Sequence, residues 1–187
     1  MTHFLSDFHW SSNMTTQAIG ILAALVAFLG LTSKSDKRLM SLSIASCALW
    51  AVHFSLLGSW PATASNLLAG LRNGFSLRFR GVVPALIFAT AVAVAGVLTI
   101  HSPFGILPIL GTIIVSLAAF LTRGATLRGA YMLSSLLWLM HDVHMQSIGG
   151  ICGDLTSLTA GTIALVRLLL SGASANEEAF TESAVAK

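Results

Sequence analysis

Two copies of one short pattern, LWxxH, place a tryptophan and a histidine three residues apart in two separate apolar segments. Because residues three apart share a helix face, Trp50 lies beside His53, and Trp138 beside His141, if both segments are helical. Tryptophan offers an apolar ring face, and histidine changes charge between about pH 5 and 8. The repeated pattern therefore predicts two equivalent positions where a solute stacks and a proton is carried.

Further titratable residues follow the second copy: Asp142 comes directly after His141, and His144 lies three residues after it. Three interpretations are open: histidines at a wet helix end, a proton relay, or a metal site. Zinc takes three or four protein ligands, so a metal site would also need Asp154, Cys152 or His53. We expect neither a metal nor another cofactor. The residues of the possible relay are His53, His141, Asp142 and His144.

Small and polar residues form two stripes at helical spacing. Asn66 and Asn73 lie on one face of the third apolar segment, and Asp154 and Ser157 on one face of the last. In one interpretation the stripes border a hydrated cavity, in which Asn66 and Asp154 hydrogen-bond solute hydroxyls. In the other they pack helices through small residues and interhelical hydrogen bonds. The first interpretation assigns solute binding to Trp50, Asn66, Asn73, Trp138, Asp154 and Ser157.

The composition requires a membrane to position these residues. Of 187 residues, 55% are hydrophobic and 9% are charged, whereas soluble domains carry about 25% charged residues. This excludes a soluble globular domain and a disordered chain, and two cysteines exclude a disulfide scaffold. We predict an all-α integral membrane protein with seven transmembrane helices, since each span needs about 20 apolar residues. The apolar segments are about 15–32, 39–57, 62–77, 82–100, 104–121, 129–146 and 150–170.

Basic residues predict the orientation of these helices. With seven spans, the basic residues of the loops and helix ends all fall on one side, which the positive-inside rule makes cytoplasmic. The N-terminus is then outside and the C-terminus inside. The net charge of +3 reflects this topology and gives no reason to expect a nucleic-acid partner. Arg72, within the third span, is expected to snorkel to the same side. The other basic residues are Lys34, Lys37, Arg38, Arg78, Arg80, Arg123, Arg128, Arg167 and, in the tail, Lys187.

A shift of 88 residues aligns the first three spans with the last three. It superimposes both LWxxH patterns, pairs Ser59 with Ser147, and pairs Asn66 with Asp154. Two three-helix units joined by one helix must point the same way, so we predict a parallel repeat with a site between the halves. The predicted parts are an outer lead-in (1–14), repeat 1 (15–80), a linker helix (81–101), repeat 2 (102–170) and a polar cytoplasmic tail (171–187).

Two family resemblances follow from these features. The arrangement of three helices, a linker and three helices resembles the SWEET and PQ-loop transporters. The strings HFSLLGSWPATAS (53–65), LPILGT (107–112) and LWLMHDVHMQSIGG (137–150) resemble the YgjV family of bacterial inner-membrane proteins. The SWEET resemblance implies that Trp50 and Asn66, and equally Trp138 and Asp154, line a solute pocket. The Pro-Gln dipeptide of PQ-loop proteins is absent from this sequence.

Together these features predict a transporter that moves a sugar or other small polar metabolite through the inner membrane by alternating access. The alternative is a membrane sensor or partner-binding protein on the same scaffold. No enzyme activity is expected, because the sequence has no P-loop, GxSxG, HExxH or dinucleotide motif. A retinal protein is disfavoured, since all three lysines lie outside the predicted spans. The expected partners are the solute and the lipid bilayer, and the oligomeric state is left open.

Overall fold

The computed structural model describes residues 14–31, 36–122, 124–163 and 166, and within these ranges all regular secondary structure is helical. These ranges contain seven α-helices, one for each predicted apolar segment. The largest difference in a described boundary is at the sixth helix, predicted from 129 and observed from Gly124. The helices are α1 Met14–Leu31, α2 Asp36–Leu56, α3 Trp60–Ser76, α4 Val82–Thr99, α5 Ile106–Leu121, α6 Gly124–His144 and α7 148–163.

Several sequence predictions fall outside the described residues. They concern the lead-in up to residue 13, the tail at 171–187, the last part of the seventh span, and the basic residues Lys34, Arg123, Arg167 and Lys187. The side chains of Lys37, Arg38 and Arg128 are likewise outside the described set, although their backbones lie in α2 and α6.

Two described segments are long and apolar enough to cross a membrane on their own. They are Val82–Thr99 and Pro103–Leu121, the second of which combines a short 3-10 turn with α5. Shorter apolar stretches, Met14–Leu29 and Ser41–Leu56, lie in α1 and α2. The surface of α4 carries large exposed apolar side chains such as Val97, which is 78% exposed. Such a surface suits contact with lipid, because contiguous apolar patches of this kind are unfavourable in water.

The interior of the bundle is more polar than its surface. One small apolar cluster, Ala85, Phe88 and Phe120, joins α4 to α5. Fourteen polar or charged residues among those described are buried, including two histidines and an aspartate. Buried polar side chains in a membrane protein face the bundle interior and find partners there. The buried polar groups are therefore the candidates for a functional site.

Glycines allow α1, α2 and α7 to meet closely. A Cβ added at Gly149 would collide with the backbone of Gly20, and a Cβ at Gly20 would lie 2.7 Å from the ring of His53. Small residues at such crossings let helix backbones approach in membranes. The contact brings the start of α1 against the start of α7 and the end of α2. We call the end of the bundle where α1, α3 and α7 begin the upper end, and the opposite end the lower end.

Candidate functional site

Two turns at the upper end have the same backbone geometry. Gly58, between α2 and α3, and Gln146, between α6 and α7, both adopt positive φ, 76° and 54°. The next residue in each case is a serine, Ser59 or Ser147. The backbone amide of each serine donates to the carbonyl five residues earlier, at 2.9 Å in both turns. Positions 88 residues apart therefore form the same local structure, and each turn presents its serine in the same way.

Each of these serines pairs with the histidine of the other turn. Ser147 Oγ lies 2.8 Å from His53 Nε2, and Ser59 Oγ lies 2.8 Å from His141 Nε2. The two histidines are 0% and 1% exposed. We refer to His53–Ser147 and His141–Ser59 as the crossed His–Ser pairs. They link the end of α2 to the α6–α7 turn, and the end of α6 to the α2–α3 turn.

The second ring nitrogen of each histidine has a different partner. His53 Nδ1 donates to the backbone carbonyl of Thr16 in α1, at 2.7 Å. His141 Nδ1 lies 2.9 Å from a carboxyl oxygen of its neighbour Asp142. With Nδ1 protonated, neutral histidine accepts at Nε2, so each serine hydroxyl donates to its histidine. Ser147 Oγ also accepts from the amide of Gly150, at 3.0 Å.

Gln17 fastens α1 to the same end of the bundle. Its side-chain amide donates to the carbonyl of Gln146 at 3.0 Å, and its side-chain oxygen accepts from the amide of Ile148 at 3.1 Å. The α6–α7 turn is thus held by α1 as well as by α2. The start of α1, both turns and the ends of α2 and α6 form one hydrogen-bonded layer.

An aromatic layer lies against the crossed His–Ser pairs. Phe54 is buried at its centre, with ring centroids 5.7 Å from Trp50 and 5.6 Å from Trp138. The same ring lies 5.0 Å from His53 and 5.5 Å from His141. Trp50 and Trp138 meet their own histidines edge to face, with interplanar angles of 76° and 79°. Both LWxxH patterns therefore point into the bundle with the same ring geometry, as the sequence predicts.

A cavity of about 530 Å³ adjoins this aromatic layer. Residues of α1, α2, α3, α6 and α7 line it, and Trp50 and Trp138 form part of its wall. Asp154 Oδ2 is buried and has no hydrogen-bond partner within the described part of the chain. Five of the six residues predicted to bind solute line this cavity: Trp50, Asn66, Trp138, Asp154 and Ser157.

The sixth predicted residue, Asn73, belongs to a separate polar cluster nearer the lower end. It donates to Ser43 Oγ at 2.8 Å and accepts from Arg72 at 3.0 Å. Arg72 also donates to Ser116 of α5. The guanidinium is buried within the bundle instead of snorkelling to its surface, because these partners satisfy it there. Asn73 thus orients a buried arginine and is not among the residues that line the cavity.

The residues named for a proton relay also divide. His53, His141 and Asp142 are buried in or beside the crossed His–Ser pairs, and Asp142 lines the cavity as well. His144 is exposed and stacks on Phe104, with centroids 3.9 Å apart. Within the described residues, no group of three or more histidine, cysteine, aspartate or glutamate side chains is placed to hold a metal ion.

Three residues of the site were not singled out from the sequence: Thr16, Gln17 and Phe54. Phe54 could have been identified from the sequence, because it directly follows His53 as Asp142 directly follows His141 in the 88-residue register. Thr16 acts through its backbone carbonyl, which any residue type provides. No sequence pattern identifies such a contact.

The comparisons with known proteins identify a family. The family Imp-YgjV, described as bacterial inner membrane protein, matches residues 14–171. The chain belongs to the YgjV family. Inner membrane protein YgjV of Escherichia coli (strain K12) is 32% identical over 134 residues, which cover 72% of this chain and 73% of the relative. No solved structure matches the chain.

Membership of the YgjV family confirms the resemblance on which the inner-membrane prediction depends. It also explains why the bundle exposes apolar side chains and buries polar ones, since lipid surrounds a YgjV-family protein where water would surround a soluble one. The family description names a membrane location without an activity. The side chains of the candidate site therefore provide the evidence for function.

Proposed function

We propose that the chain transports a small polar solute across the bacterial inner membrane by alternating access. The observation that carries this proposal is the cavity of about 530 Å³, a volume typical of small-molecule sites, which span about 300–1,000 Å³. Trp50 and Asn66 reach it from one half of the sequence, and Trp138 and Asp154 from the other. Transporters built from repeats place their solute site between the repeats in this way.

The proposed architecture is two parallel three-helix repeats, α1–α3 and α5–α7, joined by α4 as in SWEET and PQ-loop proteins. The crossed His–Ser pairs support it. When two equivalent units meet about a two-fold axis, a residue i of one contacts j of the other, and j contacts i. His53–Ser147 and His141–Ser59 follow this rule in the 88-residue register. The equal geometry of the two turns supports the same arrangement.

The proposed topology has the upper end outside and the lower end in the cytoplasm. Its support is the position of the basic residues, of which Arg78 and Arg80 are exposed after α3. Reporter fusions after Arg38, Arg80, Arg128 and Ser171 should all report a cytoplasmic location. A periplasmic signal from any one of them would contradict seven spans and, with them, the parallel repeat.

In this proposal the crossed His–Ser pairs are the outer gate. They hold the upper end closed above the cavity, so the solute has to leave or enter by another route while they are formed. Interhelical hydrogen bonds in membranes contribute only about 0.6 kcal/mol on average and at most about 1.7 kcal/mol. Four side chains can therefore exchange their partners for water at a modest cost, as a gate requires.

The test is a screen of the purified full-length protein for ligand-induced thermal stabilisation by sugars, amino acids, nucleosides and amines. A compound that binds is then tested for uptake into proteoliposomes. Trp138→Ala and Asn66→Ala should weaken binding about tenfold or more, since each removes a group that lines the cavity. Trp60→Ala is the matched control, because Trp60 is 53% exposed and does not line the cavity.

Two outcomes would contradict the proposal in different ways. Binding that is unchanged in both cavity variants would place the solute site elsewhere. Binding that depends on the cavity without any uptake would contradict transport and favour the alternative, a membrane sensor or partner-binding protein on the same scaffold.

A further inference from the structure

The charged groups of the cavity are unbalanced. Two carboxyl groups, Asp142 and Asp154, line it, while the lining residues that the structure describes include no lysine or arginine. Arg72, the buried cation of the bundle core, is engaged with Asn73 and Ser116 away from this wall. A buried carboxylate without a partner is costly in a membrane protein. A ligand that supplies positive charge would offset this cost, which a buried acid otherwise avoids by taking up a proton.

Asp154 is the carboxyl group available to such a ligand. One oxygen of Asp142 is already engaged by His141 Nδ1 at 2.9 Å. Oδ2 of Asp154 is buried and has no partner among the described residues, and Asp154 is one of the residues that line the cavity. The two acids thus differ in role: Asp142 is tied to the crossed His–Ser pairs, and Asp154 is free to pair with a ligand.

The aromatic wall defines the kind of cation. Trp50, Phe54 and Trp138 all line the cavity, and the ring faces of tryptophan and phenylalanine attract cations within about 6 Å of the ring centre. Aromatic groups around a carboxylate suit an alkylated ammonium group, whose charge is spread over carbon-bound hydrogens. A metal cation requires several oxygen ligands instead, up to six for Mg²⁺, and no group of three candidate ligands is present among the described residues.

We infer that the cavity binds an organic monocation, a protonated or quaternary amine, whose charge pairs with Asp154 and lies against the faces of Trp50 and Trp138. The inference rests on the proposed function and specifies its solute class. It differs from recognition of a sugar, for which Asp154 and Asn66 accept and donate hydrogen bonds to hydroxyl groups. A neutral polar solute supplies no opposite charge to the Asp154 carboxyl group.

The test compares two probes of the same shape that differ in charge. Choline carries a trimethylammonium group, and 3,3-dimethyl-1-butanol replaces its nitrogen with carbon. Binding to the full-length protein in lipid nanodiscs is measured by calorimetry at constant ionic strength. Choline should bind about tenfold or more tightly than its neutral isostere, because only the cation pairs with Asp154 and the aromatic faces.

Variants assign this preference to the cavity. Asp154→Asn should abolish the preference for choline while the binding of the neutral isostere is retained. Asp36→Asn, which removes a carboxyl group where α2 begins at the lower end, is the matched control and should leave the preference unchanged. Trp138→Leu should weaken choline binding more than that of the isostere. Unliganded thermal melting of each variant verifies that it is folded.

Each contrary result separates this inference from the proposed function. Equal binding of choline and its isostere would overturn the cation assignment while the cavity remained a binding site. Binding of a sugar or nucleoside that depends on Trp138, with no binding of choline or tetramethylammonium, would also overturn it and leave the transporter proposal standing. Failure of every class of compound to bind would count against both.

Discussion

The two crossed His–Ser pairs share one geometry and differ in one partner. Both join Nε2 of a buried histidine to a serine at 2.8 Å, across turns with matching hydrogen bonds. At Nδ1, His53 meets the carbonyl of Thr16, whereas His141 meets the carboxyl group of Asp142. A backbone carbonyl cannot change its charge, but a carboxyl group can. Protonation can therefore alter the first pair only at its histidine, and the second pair at its histidine and at its carboxyl group.

Ser59, His141 and Asp142 are connected by hydrogen bonds in the order of a catalytic triad, from serine to histidine to aspartate. The first pair has the same Ser–His contact with a carbonyl in place of the acid. What both have in common is the connection of two turns, and both serines are buried in it. The shared feature is a contact that holds two turns together, and the acid is present in one of the two pairs alone.

The same asymmetry extends into the cavity. In the 88-residue register Phe54 corresponds to Asp142, and Asn66 corresponds to Asp154. All four residues line the cavity. The first half thus contributes a ring and an amide where the second half contributes two acids. Positions 88 residues apart thus carry different chemistry, and the two acids of the cavity wall come from the second half of the sequence.

The largest expected effect distinguishes the two histidines. His141→Ala should lower the free energy of unfolding by about 3 kcal/mol, because it leaves both Ser59 and the buried Asp142 without a partner. His53→Ala should cost about 2 kcal/mol, since it removes one partner each from the Ser147 hydroxyl and the Thr16 carbonyl and leaves no acid unpaired. The measurement is unfolding in mixed micelles. Adding Asp142→Asn to His141→Ala should recover part of the lost stability. Equal costs for both histidines would show that the Asp142 carboxyl group does not distinguish the two pairs.

Two glycine contacts at the upper end should differ in the next largest effect. Gly149→Ala should destabilise the bundle by about 2 kcal/mol, because its Cβ would collide with the backbone of Gly20 between α7 and α1. Gly105→Ala should cost about 1 kcal/mol, since its Cβ meets only side chains, the ring of Pro61 at 3.1 Å and Ile100 at 3.4 Å. The control is Gly129→Ala, where the added Cβ meets nothing within 4 Å. Thermal unfolding in one detergent compares all three.

The two serines test how closely the pairs match. Ser147→Ala should cost about 1.5 kcal/mol and Ser59→Ala about 1 kcal/mol, because Ser147 Oγ also accepts from the amide of Gly150. If the two pairs act as one gate, the double variant should differ from the sum of the single costs. Strict additivity in a double-mutant cycle would show that the pairs open independently.

The smallest effects are expected at the two turns. Gln146→Gly should stabilise the protein by up to about 1 kcal/mol, because φ of 54° is unfavourable for a residue with a Cβ. Gly58→Ala should destabilise it by about 1 kcal/mol for the same reason. Both values come from chemical unfolding curves. The same sign for both substitutions would mean that the turns are not equivalent in solution.

Much of the scaffold could be predicted from the sequence because it depends on local patterns. Apolar segments long enough for helices are read directly along the chain, and each has a helix in the structure. Rare residue types made the 88-residue register visible, since matched tryptophans and histidines seldom coincide by chance in an apolar chain. Helical spacing also put Asn66 and Asp154 on faces that could border a cavity, and both line it.

Only the tertiary structure decided which faces meet. Helical periodicity defines the face that residues share, but it does not define the rotation of one helix against another. That rotation put Asn73 against Ser43 of α2 instead of in the cavity, and it buried a guanidinium expected at the surface. It also joined His53 to Ser147, 94 residues away, and His141 to Ser59, 82 residues away. Such contacts follow from the packing of whole helices, through close approaches such as Gly20 against Gly149, and no local pattern encodes them.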